Sequence, residues 1–130
     1  MKFHPLGKMT TLNLLKTSLG AYSQRNQAIA ENIANVETKS YRPYKIKFEE
    51  ELREAMQKGK PVGLKSDPRH MDIGGKVDSA KPKITTVNHP VNIENEMAEL
   101  AKNQIRFEFA ARKMQGTYQF LSSAIRGRMS

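Results

Sequence analysis

Residues 93–125 read IENEMAELAKNQIRFEFAARKMQGTYQFLSSAI, and apolar side chains recur along this stretch at alternating spacings of four and three. Ten positions follow that spacing and nine of them are apolar, with Gln104 as the exception. A 3-4 repeat held over several heptads is typical of a helix that buries a narrow apolar seam against other helices. The sequence therefore predicts a long helix over about residues 92–126, with Asn92 as its N-cap.

A second repeat of the same kind lies near the N-terminus. Seven of its eight positions are apolar, and Asn26 is the exception. The repeat predicts a helix over about residues 11–37 that begins after Thr10 or Thr11, either of which is a suitable N-cap.

Two such helices separated by a polar middle predict a mainly α fold, an antiparallel coiled-coil hairpin formed by one domain. In that arrangement the amides of Asn26 and Gln104 are candidates to meet, and a buried Asn is known to fix register in coiled coils. The alternative is that Asn26 lies at a locally exposed part of the seam, and the sequence leaves both open. The apolar seam positions are the candidate assembly interface: Leu12, Leu15, Leu19, Tyr22, Ile29, Ile33, Val36, Ile93, Met97, Leu100, Phe107, Met114, Tyr118, Leu121 and Ile125.

The middle of the chain, residues 38–91, is expected to be irregular and partly extended or disordered. Because Pro43 halts a helix, residues 39–47 should run extended, with Tyr44, Ile46 and Phe48 on one side. A short amphipathic helix is expected from Phe48 to Lys58.

Further along, residues 84–87 could form a strand. Glycines and prolines interrupt the rest of the middle, so the region from about 58 to 88 is expected to be mobile in the free protein.

Composition limits the size of the core. The chain has 130 residues, of which 38% are hydrophobic, and its mean hydropathy is −0.66. We therefore expect a marginal monomer that gains stability through association. There are no cysteines, no apolar run approaches a membrane span, and the N-terminus lacks the apolar core of a signal peptide. Membrane insertion and a cleaved secretory signal are therefore not expected.

The net charge of +9 raises the possibility of a nucleic-acid partner. Residues 39–47 interleave basic and aromatic side chains, as a single-strand binder might. Against this, the acidic run Glu49–Glu51 follows at once, and no zinc finger, basic helix face or RNA-binding signature is present. We expect no nucleic acid as partner.

No group of residues predicts catalysis. His70 lies between Asp67 and Asp72, but a metal site needs three or four ligands on a rigid scaffold, and this segment is rich in proline and glycine. The sequence therefore predicts no catalytic, cofactor or metal site, and no enzyme.

Residues 30–42, AENIANVETKSYR, resemble the N-terminal signature of bacterial flagellar rod and hook proteins, roughly A-N-N-I-A-N-x-x-T-P-G-Y. Within that class, residues 45–52, 91–107 and 121–128 are similar to segments of the FlgB family of proximal rod proteins, and residues 64–71 are similar to a further family segment. The matching signature residues are Asn32, Ile33, Ala34, Asn35 and Tyr41.

The resemblance also has departures. Where the family usually has Pro-Gly before the tyrosine, this chain has Lys39-Ser40. Because serine does not take positive φ freely, the turn is expected to differ in geometry.

The resemblance implies a structural subunit of the flagellar basal-body rod, which polymerises helically through its terminal helices as part of the proximal drive shaft that crosses the periplasm. It implies export by the flagellar type III export apparatus without signal cleavage, and contact with other rod proteins and the MS-ring/rod-junction protein. The residues alone lead to a similar outline, because outward apolar seams in head-to-tail contact generate a helical filament. The alternative is a cytoplasmic coiled-coil adaptor or secretion chaperone, which would form a closed oligomer.

Overall fold

The computed structural model describes residues 5–58 and 80–127, with side chains from 11–56 and 80–127. This part of the chain is mainly helical, as the sequence predicts. The expected mobility of residues 59–79, and the candidate ligands Asp67, His70 and Asp72, lie outside the described residues. The elements are helix α1 (Pro5–Ala34), strand β1 (Tyr44–Lys47), helix α2 (Glu49–Lys58), strand β2 (Lys83–Thr86) and helix α3 (Ile93–Ile125).

Hydrogen bonds between α1 and α3 fix the direction of the pair. The Asn103 side chain donates to the Tyr22 carbonyl at 2.8 Å and to Asn26 Oδ1 at 2.7 Å. Further towards the C-terminal end of α1, Asn32 donates to Glu96 Oε2 at 3.2 Å. Because partners advance along α1 while they retreat along α3, the two helices form the predicted antiparallel hairpin.

The observed bounds of α1 differ from the predicted 11–37. The helix begins at Pro5, so the two threonines proposed as caps lie inside it. Proline suits the first helical position, where its fixed φ is already helical and its missing N–H is not needed. The helix ends at Ala34, because Asn35 donates from its side chain to the Glu31 carbonyl at 2.8 Å and the chain turns.

Helix α3 is bounded by two local signals. The side chain of Asn92 accepts from the Asn95 backbone N–H at 3.1 Å, which is the expected N-cap contact. At the other end, Gly127 has a φ of 66° and donates its N–H to the Ala124 carbonyl at 3.3 Å. A glycine in this left-handed conformation is a common helix terminator.

The described middle forms a small unit against α1. Strands β1 and β2 pair antiparallel, with Ile46 opposite Ile84. As predicted, alternate β1 side chains turn inward, because Ile46 and Phe48 are buried. Phe48 joins Ala21 of α1 in a buried apolar cluster, which Leu52 and Ala55 of α2 flank. The extended run, the short helix and the candidate strand of the sequence analysis are therefore all present within the described residues.

The turn after α1 keeps the geometry that glycine would favour. The Tyr41 N–H donates to the Thr38 carbonyl at 3.2 Å, which closes a β-turn with Lys39 and Ser40 in its centre. Ser40 has a φ of 69°, and a positive φ at this position is the mark of a type II turn. Serine thus adopts the left-handed conformation here, at some cost in stability.

We predict that Ser40→Gly stabilises the protein by about 0.5–1.5 kcal/mol, because glycine takes positive φ without the Cβ clash and loses part of this gain to unfolded-state entropy. Thermal or urea unfolding of the two proteins measures the difference.

Ser23 of α1 is a matched control, since it is exposed and helical. Ser23→Gly should destabilise by about 0.5 kcal/mol. If both serine-to-glycine variants lose stability, the turn is not strained.

Candidate assembly surface

The signature residue Asn32 is fully buried and joins three parts of the chain. Its side-chain amide donates to the Tyr44 carbonyl at 2.9 Å and accepts from the Tyr44 N–H at 3.2 Å, as a neighbouring strand would. It also donates to Glu96 of α3 and accepts from the Tyr41 hydroxyl at 3.0 Å. Both donors and both acceptor sites are therefore used, and α1 covers the open edge of β1.

Arg25 covers the same edge of β1 further along. It is nearly buried, and its Nε donates to the Ile46 carbonyl at 3.2 Å. Its two terminal nitrogens hold Glu49 at the start of α2, at 2.8 and 2.6 Å. Arg106 of α3 reaches the same carboxylate at 3.5 Å. Glu49 thus links all three helices, and the hydrogen bonds from Arg25 lower its pKa to about 2.

We predict that Glu49→Gln destabilises the protein by about 1–2 kcal/mol. The expected loss is no larger because the Glu49 side chain is half exposed, and solvent screens its ion pairs. A folded-state pKa below the usual 4.5 means that the ionised carboxylate stabilises the fold above pH 4.5 and that this contribution is lost as pH falls towards about 2. The stability gap between variant and parent should therefore close over that range in urea titrations.

Glu50→Gln is the control, because the neighbouring Glu50 pairs only at the surface with Arg53, both side chains being about two-thirds exposed. It should change stability by less than about 0.5 kcal/mol at any pH. An equal loss from both substitutions would show that Glu49 acts by general charge alone.

Most of the predicted α1 seam is covered within the chain. Ile29 is buried, and Val36 is exposed at the end of the hairpin. Half-buried positions make up the rest: Leu12, Leu15, Leu19, Tyr22 and Ile33. Among the signature residues, Asn35 and Tyr41 are half-buried and Ala34 is exposed.

The predicted α3 seam divides into two rows. The row that faces inward is half-buried: Leu100, Phe107, Met114 and Leu121. The other row is largely exposed, with 52% of Met97, 53% of Tyr118 and 85% of Ile125 accessible. Ile93 belongs to the Leu100 row by its spacing, but it lies at the start of the helix and is 46% exposed. Only one of the two rows of the predicted α3 seam is therefore partly buried within the chain.

The inward row of α3 is completed by positions that the sequence did not mark. They are polar or small and recur every seven residues: Glu96, Asn103, Ala110, Thr117 and Ala124. The Asn26 amide accordingly meets Asn103, and Gln104 is exposed and donates to Glu108 at 3.2 Å. The signal was present as a second 3-4 repeat, which shares the Leu100 row but has fewer apolar members, because Glu96, Asn103 and Thr117 are polar.

The outer surface of α3 is rich in apolar groups. In addition to the exposed predicted row, Ile105 is 69% and Phe109 63% exposed. A helix that exposes apolar side chains along most of its length is suited to burial against another helix. This surface, with Met97, Tyr118 and Ile125 as its regular row, is the candidate assembly surface.

Other classes of site find no support in the described geometry. Across residues 5–58 and 80–127, no three histidine or acidic side chains converge as metal ligands would. Among the described helices, none is both long and apolar enough to cross a bilayer.

Comparison with known proteins gives two similar chains. One, from Bacillus subtilis strain 168, is the flagellar basal body rod protein FlgB, 27% identical over 123 residues that cover 90% of this chain and 94% of the relative. The other carries the same name in Buchnera aphidicola subsp. Acyrthosiphon pisum and is 26% identical over 105 residues, which cover 74% of this chain and 79% of the relative. No model of a known protein family matches the chain.

Proposed function

We propose that this chain, whose relatives support its assignment to the FlgB family of flagellar rod proteins, is a structural subunit of the bacterial flagellar basal-body rod. The match to the Bacillus subtilis protein spans nearly the whole length of both chains, so it covers both long helices. Under this proposal the protein works by being packed into an assembly, and it performs no catalysis.

The exposed apolar row of α3 is the structural observation that supports this function. The exposed side chains of Met97, Tyr118 and Ile125 leave apolar surface in water in an isolated monomer, whereas contact with a neighbouring subunit would remove it. The inner row already joins α3 to α1, so the outer row is available to other subunits. Head-to-tail contacts of this kind continue without closing and produce a helical rod.

We extend the proposal to the surroundings of the rod. The subunit would lie in the proximal rod, contact other rod proteins and the MS-ring/rod-junction protein, and leave the cytoplasm through the flagellar type III export apparatus without signal cleavage. The names of the two relatives support the rod itself, while these finer partners follow from the family resemblance of the signature residues.

The alternative of a cytoplasmic adaptor or secretion chaperone is not favoured. It requires a closed oligomer that hides the outer row of α3, and the relatives are rod proteins. The two functions differ in solution, because a rod subunit should sediment as a monomer until it meets its partners.

We predict that Ile125→Asp abolishes swimming. Ile125 is 85% exposed, so the stability of the free chain should change by at most about 1 kcal/mol. In the rod the same aspartate would be buried without a partner, at a cost of several kcal/mol. Motility in soft agar, with immunoblots for expression and export, measures the effect.

Ile84→Asp is the matched control, since Ile84 is 65% exposed but lies on β2 and not on α3. Cells with this variant should swim. Normal swimming of the Ile125→Asp strain, with the protein expressed and exported, would contradict assembly through this part of α3.

A further inference from the structure

One face of the β1–β2 hairpin carries lysines at neighbouring positions. Lys45 and Lys47 alternate with the inward-facing residues of β1, and Lys83 lies directly opposite Lys47 on β2. All three are exposed, and Lys81, two residues before Lys83, is exposed as well. We refer to Lys45, Lys47, Lys81 and Lys83 as the lysine face.

The lysine face makes no ion pair with the carboxylates of the described residues. In the described part of the chain, ion pairs are made by arginines and by Lys102, and none of the four lysines takes part in one. The carboxylate of Glu99 feels the charge of Lys45, but it is already paired with Lys102 at 3.0 Å. Three carboxylates, those of Glu49, Glu96 and Glu99, line a groove together with Lys45 and Lys47, and each of them is bonded to another side chain. Among the described residues, the positive charge of this face therefore has no ion-pair partner.

The arrangement works against the stability of the hairpin. Like charges directly opposite each other on paired strands repel, and Lys47 and Lys83 are such a pair. The hairpin keeps its position because Asn32 and Arg25 bond the outer edge of β1. A rigid support beneath a row of repelling charges is suited to a ligand that supplies the opposite charge.

We propose that the lysine face binds an acidic, extended segment of a partner protein. Lys45 and Lys47 are two residues apart on a strand, so their side chains leave the sheet about 6.6 Å apart. Carboxylates on alternate residues of an extended chain have the same spacing. The surface is separate from the outer row of α3, so the proposal does not depend on how the long helices assemble.

The chemistry of the face favours a carboxylate-bearing protein segment over other polyanions. Single-stranded nucleic acid is held largely by stacking on aromatic rings, and Tyr44, the aromatic residue of β1, directs its hydroxyl to Glu31 on α1. Lysines act as separate point charges, which suits spaced carboxylates.

The test titrates the full-length chain with a peptide of alternating glutamate and threonine and follows backbone amide shifts by NMR. Shifts should cluster at Lys45, Lys47 and Lys83, and binding should weaken as salt is added. The double variant Lys47→Glu/Lys83→Glu should bind the peptide at least about tenfold more weakly. The variant Lys16→Glu/Lys113→Glu has the same net charge, lies on the helices, and should bind within about twofold of the parent.

A second double variant separates a loss of binding from a loss of folding. Lys47→Gln/Lys83→Gln removes the cross-strand repulsion, so it should melt at a higher temperature than the parent and yet bind the peptide more weakly. Equal loss of binding in the Lys16/Lys113 control would show general attraction to a basic protein and overturn the proposal. Tighter binding of single-stranded DNA or of vesicles with anionic lipid at the same face would overturn it as well.

Discussion

The buried amide of Asn32 is the contact on which the arrangement of the chain depends. Through four hydrogen bonds it joins α1 to β1, to Tyr41 in the preceding turn and to Glu96 of α3. If this amide were removed, each buried group that it bonds would be left without a hydrogen-bond partner, which costs about 1–3 kcal/mol per group. The same residue thus holds the hairpin of strands, the turn and the second long helix, which gives a physical reason for an asparagine at this place in the signature.

The long helices are paired through a mixed surface. The inner rows of α3 combine half-buried apolar residues with Glu96, Asn103 and small side chains. Asn103 donates to two groups on α1, while its own Oδ1 has no hydrogen-bond partner among the described residues. Polar contacts of this kind define register more than they add stability. Much of the large apolar surface of α3 faces outward instead, and contact with a neighbouring subunit would remove it from water.

The sequence predicted the hairpin, the cap at Asn92 and the alternation of β1, because each follows from local spacing. It did not identify the face of α3 that meets α1. Two 3-4 repeats share the row that contains Leu100, and hydrophobicity favoured the one with Met97 and Ile125 over the one with Asn103. Periodicity shows that a helix has an apolar stripe, but the neighbour that covers it depends on tertiary contacts. For the same reason the roles of Arg25 and Glu49, which are far apart in sequence, could not be read from either residue alone.

The central claim is that each subunit keeps its own α1–α3 hairpin when it joins a rod and uses the outer row of α3 for its neighbours. Spin labels on cysteines at Gln24 and Lys102, both exposed and near the Asn26–Asn103 contact, report the separation of the two helices by electron–electron double resonance. In assembled rods diluted with unlabelled subunits, the account predicts the same short distance as in the free chain, that of helices whose axes lie about 8–10 Å apart. Loss of the short distance on assembly, or its disappearance on dilution, would show that the helices pair between subunits and would contradict the account.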